Sequence, residues 1–181
     1  MKDFATQFCD CCSLAQKDSC PNKNLYPSFP FYNYEAWANK NCPAGKKCDV
    51  LFIGSKGLIL IELKALDHLM NIEEDWIEAT DEKEKRKIFD GFEGNLKKKF
   101  FNSKKNLLER GMFVDRPFPY YLVAISDKLI DYSDKYKEFD KYQLKYYLRN
   151  KFFFDHEIDD HTHAIVEECT KLERYFLKVF P

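Results

Sequence analysis

The stretch CDVLFIGSKGLILIELK, residues 48–64, decides the fold, because it reads as two apolar strands joined by a glycine turn. Gly54 and Gly57 bracket the turn and predict a tight hairpin, in which glycine accepts the positive φ that such turns require. Both strands are apolar on both faces, which is typical of strands buried in the middle of a sheet. The stretch therefore predicts a buried central hairpin whose polar residues gather at one end.

Three ionisable residues stand at that end of the hairpin: Asp49, Glu62 and Lys64. Pairing about the turn places Asp49 opposite Glu62, with Cβ atoms about 4.5–5.5 Å apart, and strand alternation puts Lys64 on the same face as Glu62. Two carboxylates that close repel each other unless a cation lies between them. The pattern predicts a divalent-metal site with an ammonium group beside it. The alternative, a solvated Glu-X-Lys ion pair of little energetic value, does not suit strands that are apolar on both faces.

This arrangement resembles the PD-(D/E)XK, or restriction-endonuclease-like, nuclease superfamily. The signature of that family is an Asp on one strand followed, after a variable gap, by Glu/Asp-X-Lys on the next strand. Asp49 and Glu62-Leu63-Lys64 match it, and Cys48 replaces the proline that often precedes the Asp. The resemblance covers roughly residues 45 to 130. It implies an α/β fold with a mixed central sheet flanked by helices.

The same resemblance implies metal-dependent hydrolysis of phosphodiester bonds. Asp49 and Glu62 would hold Mg²⁺ or Mn²⁺, with the backbone carbonyl of Leu63 as a further ligand. Lys64 would orient the attacking water or stabilise charge in the transition state. DNA is favoured over RNA as the substrate, while cleavage specificity and endo- or exonuclease action stay open. The rival hypothesis is a non-catalytic nucleic-acid or protein-binding module on the same fold, with a structural zinc element.

Length and charge are compatible with one compact domain of 181 residues and a net charge of −1. There is no global basic field to attract nucleic acid, so positive charge would have to be concentrated locally. Residues 82–110 predict a long helix closed by Gly111, with a core face of apolar residues. Its lysines are the candidate phosphate contacts, although an ordinary solvated face is an equal alternative; the four that we assign to nucleic-acid binding are Lys97, Lys98, Lys99 and Lys104.

Seven cysteines raise the question of a second metal. The chain has no hydrophobic leader and no apolar run of about 18 residues, so we expect a cytoplasmic protein without membrane contact. In that compartment clustered cysteines favour metal binding over disulfides. Zinc is favoured, an iron–sulfur cluster is the alternative, and reduced thiols without metal stay open. The predicted ligands are Cys9, Cys12, Cys20 and Cys42.

The cysteines divide the chain into a cysteine-rich element, residues 1–45, and a nuclease-like domain, residues 46–181; homodimer formation stays open. A short helix around residues 33–38 carries Glu35, a candidate extra acid for which a solvated position is favoured. Residues 119–125 predict a buried strand after the helical crossover. Helices are predicted over 135–149 and 162–180, the latter with Asp159 and Asp160 at its start. A second metal in the His/Asp cluster of residues 155–163 is disfavoured.

Overall fold

A computed structural model describes residues 31–64, 78–125 and 156–180, together with Phe29 and Asp75. It is a mixed α/β structure, in which a six-stranded sheet is flanked by helices. The strands are β1 (Phe31–Asn33), β2 (Val50–Ile53), β3 (Leu58–Lys64), β4 (Tyr120–Ile125), β5 (His156–Asp159) and β6 (Thr162–Glu168). The helices are α1 (Tyr34–Asn41), α2 (Glu82–Glu109) and α3 (Glu173–Val179), the last preceded by a 3₁₀ turn, Cys169–Lys171.

The sheet runs in the order β1-β2-β3-β4-β6-β5. β1, β2 and β3 are antiparallel neighbours, and α2 then crosses over so that β4 lies parallel to β3. β6 is parallel to β4, and β5 closes the edge in the antiparallel sense. The predicted hairpin and the predicted crossover strand are both confirmed. The predicted division at residue 45 falls between α1 and β2, and β1 on its N-terminal side belongs to the same sheet.

Both faces of the sheet are covered, which explains why β2 and β3 are apolar at nearly every position. On one face, α1 and α2 pack against residues such as Leu58, Leu60 and Val123. On the other face, α3 contributes to a second cluster that includes Phe52 and Ile61. Strands buried on both sides gain hydrophobic stabilisation from every side chain, so they lose the apolar–polar alternation of a half-solvated sheet.

The hairpin turn forms as predicted but for a different reason. The Gly54 amide donates to the Gly57 carbonyl at 2.9 Å, yet in the described part of the chain positive φ falls only at Gly45, Gly111 and Phe113. The turn glycines instead permit close approach. A Cβ on Gly54 would lie 2.3 Å from the Val179 carbonyl oxygen at the end of α3. Glycine here makes room for α3 and does not supply a left-handed backbone.

α2 is one continuous helix, as the spacing of its apolar residues predicts. Asp81 caps its N-terminus by accepting a hydrogen bond from the Glu84 amide at 2.7 Å. Its C-terminus closes where Gly111 adopts a φ of 67°. Neither Gly91 nor Gly94 interrupts the helix. The apolar residues Phe92, Leu96, Phe100 and Leu107 are buried against the sheet.

One prediction about the C-terminal region is wrong. Residues 162–168 form strand β6, and helix α3 begins only at Glu173. The short apolar run His163-Ala-Ile-Val166 is compatible with strand or helix, and parallel pairing with β4 decides in favour of strand. Asp159 and Asp160 accordingly stand at the β5–β6 turn and not at a helix N-terminus. The helix predicted over 135–149 lies outside the described residues.

Candidate active site

The centre of the candidate site is Glu62, near the C-terminal end of β3. Its side chain is only 1% exposed. Its Oε1 forms salt bridges with two ammonium groups, Lys64 Nζ at 2.7 Å and Lys99 Nζ at 2.5 Å. Its Oε2 is buried with no hydrogen-bond partner among the described residues. Oε1 therefore has two cationic partners, whereas the buried Oε2 could still accept a hydrogen bond or bind a cation.

Asp49 lies directly before β2, at the same end of the hairpin as Glu62. The register ends by pairing Val50 with Ile61, and the Asp49 amide, just before β2, donates to the carbonyl of the same Ile61 at 3.2 Å. The Asp49 side chain also bonds to β3, because its Oδ2 accepts a hydrogen bond from the Leu63 amide at 2.7 Å. Asp49 is 4% exposed. Asp49 and Glu62 are thus both buried at this end of the hairpin, and their direct opposition across the two strands stays a prediction.

Helices α1 and α2 form hydrogen bonds with β3 and with the segment just before β2, which carry these two acids. The Glu35 amide in α1 donates to the Asp49 carbonyl at 3.1 Å. In α2 the Ser103 hydroxyl accepts from the Cys48 amide at 2.9 Å, while Lys99, one helical turn earlier, reaches Glu62. One face of α2 thus fixes the strand before Asp49 and the carboxylate of Glu62 together, which holds the site on rigid elements.

The electrostatics of the pair are those of a crowded acidic site. Burial raises the pKa of Glu62, and the nearby Asp49 carboxylate raises it further, against the opposing effect of Lys64 and Lys99. Burial alone would lower the pKa of Lys99, but the Glu62 and Asp49 carboxylates together outweigh it, and the pKa is raised. Such mutual perturbation of buried groups is frequent at functional sites.

The carboxylate oxygens at this site are the type of ligand that a hard divalent cation prefers. Asp49 and Glu62 are carboxylates, and Glu62 Oε2 is the buried oxygen that a cation would satisfy. Within residues 31–64, 78–125 and 156–180, no group of three or more His, Cys, Asp or Glu side chains is placed to hold a metal. A cation here would depend on two carboxylates, water and substrate oxygens, which is the usual pattern for Mg²⁺.

The predicted cysteine site falls mostly outside the described residues, which include neither Cys9, Cys12 nor Cys20. Cys42 is half-buried just after α1, and its Sγ receives a hydrogen bond from Arg110 Nε at 3.0 Å. Zinc or an iron–sulfur cluster at these thiols stays a prediction. Cys48 is fully buried, and burial raises the pKa of its thiol. Its side chain packs in the core beside the site.

The four lysines predicted to contact phosphates do not share one face of α2, because successive helical residues are rotated by about 100°. Only Lys99 reaches the candidate site. Lys97 pairs with Glu93 on the same helix, and Lys104 pairs with Asp159 at 2.7 Å. Lys98 is exposed to solvent. Sequence reasoning identified these residues but not their different surroundings.

Two buried acids at the end of β6 were not predicted. Glu167 pairs with Arg174 at 2.5 Å, and Glu168 pairs with Lys171 at 2.7 Å. The ladder aligns Lys64 with Ile125 and Ile125 with Glu168, so β3 and β6 end at the same edge of the sheet. The only signal in the sequence was a pair of glutamates closing a short apolar run, which is too common to single out.

No protein-family model matches this chain, and neither a curated protein nor a solved structure resembles it significantly. In the described portions of the chain, no helix combines the length and apolar character needed to cross a bilayer.

Proposed function

We propose that this protein is a metal-dependent nuclease of the restriction-endonuclease-like type, acting on the phosphodiester bonds of DNA. One observation carries the proposal: Asp49 and Glu62 are both buried at the same end of a central hairpin, close enough for Asp49 to raise the pKa of Glu62, and Lys64 contacts Glu62. Buried like charges are costly to maintain. A site that keeps them with an ammonium group alongside is suited to binding a cation and a phosphate together.

Each residue has a defined part in this reaction. Asp49 and Glu62 would hold Mg²⁺, which when bound supplies Lewis-acid stabilisation of the phosphate and acidifies a water molecule. Lys64 is fixed on the rigid strand and presents positive charge where negative charge develops in the transition state. The hydrogen bond from the Leu63 amide orients the Asp49 carboxylate towards β3. The sheet order, with β4 parallel to β3 after a helical crossover, supports the proposed fold type.

A cleavage assay tests the proposal directly. Circular and linear DNA are incubated with the protein in EDTA, Mg²⁺ or Mn²⁺, and RNA is run in parallel. We expect DNA cleavage only with a divalent cation. Asp49→Asn, Glu62→Gln and Lys64→Met should each slow cleavage by about 10²–10³-fold or more, since each removes a preorganised charge from the reacting centre.

The matched control is Glu167→Gln, which removes a buried carboxylate from the end of β6, separated from β3 by β4, on the α3 side of the sheet. It should cleave at the wild-type rate. Nucleic-acid binding without cleavage under every cation would instead support the binding-module hypothesis. If both variants fold and Glu167→Gln loses as much activity as Glu62→Gln, the proposal that the hairpin acids in particular carry out the reaction is wrong.

A further inference from the structure

Lys99 is a second ammonium on the carboxylate that the proposed motif assigns to metal binding. Its Nζ lies 2.5 Å from Glu62 Oε1, the same oxygen that Lys64 contacts at 2.7 Å. Lys99 approaches from α2, 37 positions away in the sequence, whereas Lys64 comes from the same strand. The Lys99 side chain is 21% exposed. It is thus held at the site by Glu62 and keeps a route to solvent.

The charges of these four groups cancel. Ionised Asp49 and Glu62 carry two negative charges, and Lys64 and Lys99 carry two positive charges. A divalent cation entering this neutral cluster is attracted by the carboxylates and repelled by the ammonium groups at nearly the same range. An anionic phosphodiester offsets that excess positive charge. Because Lys has a flexible four-carbon stem, its ammonium can move from a carboxylate to a nearby phosphate.

We propose that Lys99 is a fourth residue of this site, whose ammonium competes with a divalent cation for Glu62 and so makes cation binding depend on an anionic substrate. In the metal-free protein it neutralises the buried acid. In the substrate complex it contacts a phosphate near the bond that is cleaved. This inference rests on the proposed nuclease function and adds a substrate-coupled control of the same site.

The test measures Mn²⁺ affinity in the absence of nucleic acid, by the electron paramagnetic resonance signal of free Mn²⁺. Lys99→Met should bind Mn²⁺ about tenfold more tightly than wild type, within the range typical of coupled sites. It should nevertheless cleave DNA about 100-fold more slowly at saturating Mn²⁺, because a cation that offsets phosphate charge is lost. A residue with a purely structural role would weaken both properties together.

Two further variants keep the test sharp. Lys99→Arg retains the positive charge and should keep Mn²⁺ affinity near that of wild type. Lys98→Met removes the adjacent exposed lysine of α2 and should leave Mn²⁺ affinity unchanged. Equal Mn²⁺ affinity in Lys99→Met and Lys98→Met, or weaker binding in Lys99→Met, would overturn the competition. Wild-type protein that neither binds Mn²⁺ nor cleaves nucleic acid would overturn the proposed function itself, and the Lys99 inference with it.

Discussion

Two parallel strands of this sheet end in buried glutamates, and their surroundings differ. At the end of β6, Glu167 pairs with Arg174 and Glu168 with Lys171, both from the segment that follows, and those two cations are 58% and 49% exposed. At the end of β3, Glu62 shares a buried position with a second carboxylate, Asp49, and its two lysines are only 15% and 21% exposed.

The difference separates local ion pairs from a crowded cluster that contains two carboxylates. The β6 pairs are local, since Lys171 and Arg174 belong to the turn and helix directly after the strand, and they help to fix α3 against the sheet. The β3 cluster combines charged groups from β3, from α2 and from Asp49 just before β2, and it brings two carboxylates to the same end of the hairpin. Arrangements of the second kind reduce stability and are retained where a ligand or a reaction uses them.

The largest stability effect that we expect tests how α3 is held against the sheet at the end of β6. If α3 is fixed on the sheet by its close contact with the hairpin, Gly54→Ala should be strongly destabilising, because its Cβ would lie 2.3 Å from the Val179 carbonyl oxygen. We expect a loss of about 2–3 kcal/mol, as for other overpacked sites. Chemical unfolding followed by circular dichroism measures it.

Gly91→Ala is the matched control for that substitution. A Cβ at Gly91 meets nothing within 4 Å, and the residue lies inside α2. Alanine should therefore raise stability by up to about 1 kcal/mol through helix propensity. Gly54→Ala with wild-type stability would mean that α3 is not held closely against the turn, and that the β6 pairs do not fix its position.

The β3 site was predictable from sequence because its geometry is local. The turn fixes the pairing of β2 with β3, and that pairing brings Asp49 and Glu62 to the same end of one contiguous stretch. Apolar residues on both faces then indicate burial. The core face of α2 was predictable for a similar reason, since its apolar residues repeat with the helical period.

Lys99 and β6 could not be predicted with equal certainty because they depend on packing between distant segments. Three consecutive lysines occupy three directions on a helix, and only the docking of α2 decides that Lys99 meets Glu62. The run from Thr162 to Glu168 is a strand because β4 lies beside it, a contact that no local pattern encodes. The glycines of the turn were identified correctly, but the need for space beside Val179 depends on α3.

A second prediction compares the two kinds of glutamate in metal-free protein. Glu167→Gln should lower the free energy of unfolding by about 1–2 kcal/mol at pH 7, because a hydrogen bond between charged groups is lost. Glu62→Gln should not lower it. The pKa of Glu62 is raised in the folded state by burial and by Asp49, so ionisation of Glu62 favours the unfolded chain.

The sign of the pH dependence follows from that shift. Below the unfolded-state pKa of about 4.3, Glu62 is protonated in both states and its raised pKa has no effect. As the pH rises from there through the folded-state pKa, wild type loses stability relative to Glu62→Gln. Thermal unfolding in EDTA between pH 4 and 8 measures the difference. A Glu62→Gln deficit that grows with pH would show that Glu62 is a structural ion pair like Glu167.

The smallest effect extends the comparison to Asp159 with Lys104, a pair that joins β5 to α2 and whose carboxylate is more exposed than those of β6. Burial would raise the pKa of Asp159, but hydrogen bonds from Lys104 and the His161 amide outweigh it, and the pKa is lowered. Asp159 therefore stabilises the fold at neutral pH, and this contribution is lost as the pH falls below about 3.9 and through the folded-state pKa.

Asp159→Asn should lower the free energy of unfolding by at most about 1 kcal/mol at pH 7, as loss of a partly exposed ion pair does. The difference from wild type should shrink in acid. Asp160→Asn, at the exposed neighbouring position, should leave the free energy of unfolding at pH 7 unchanged. A Glu167→Gln loss no larger than that of Asp159→Asn would mean that burial of the carboxylate adds nothing, and would reduce the contrast between β3 and β6 to the presence of Asp49 alone.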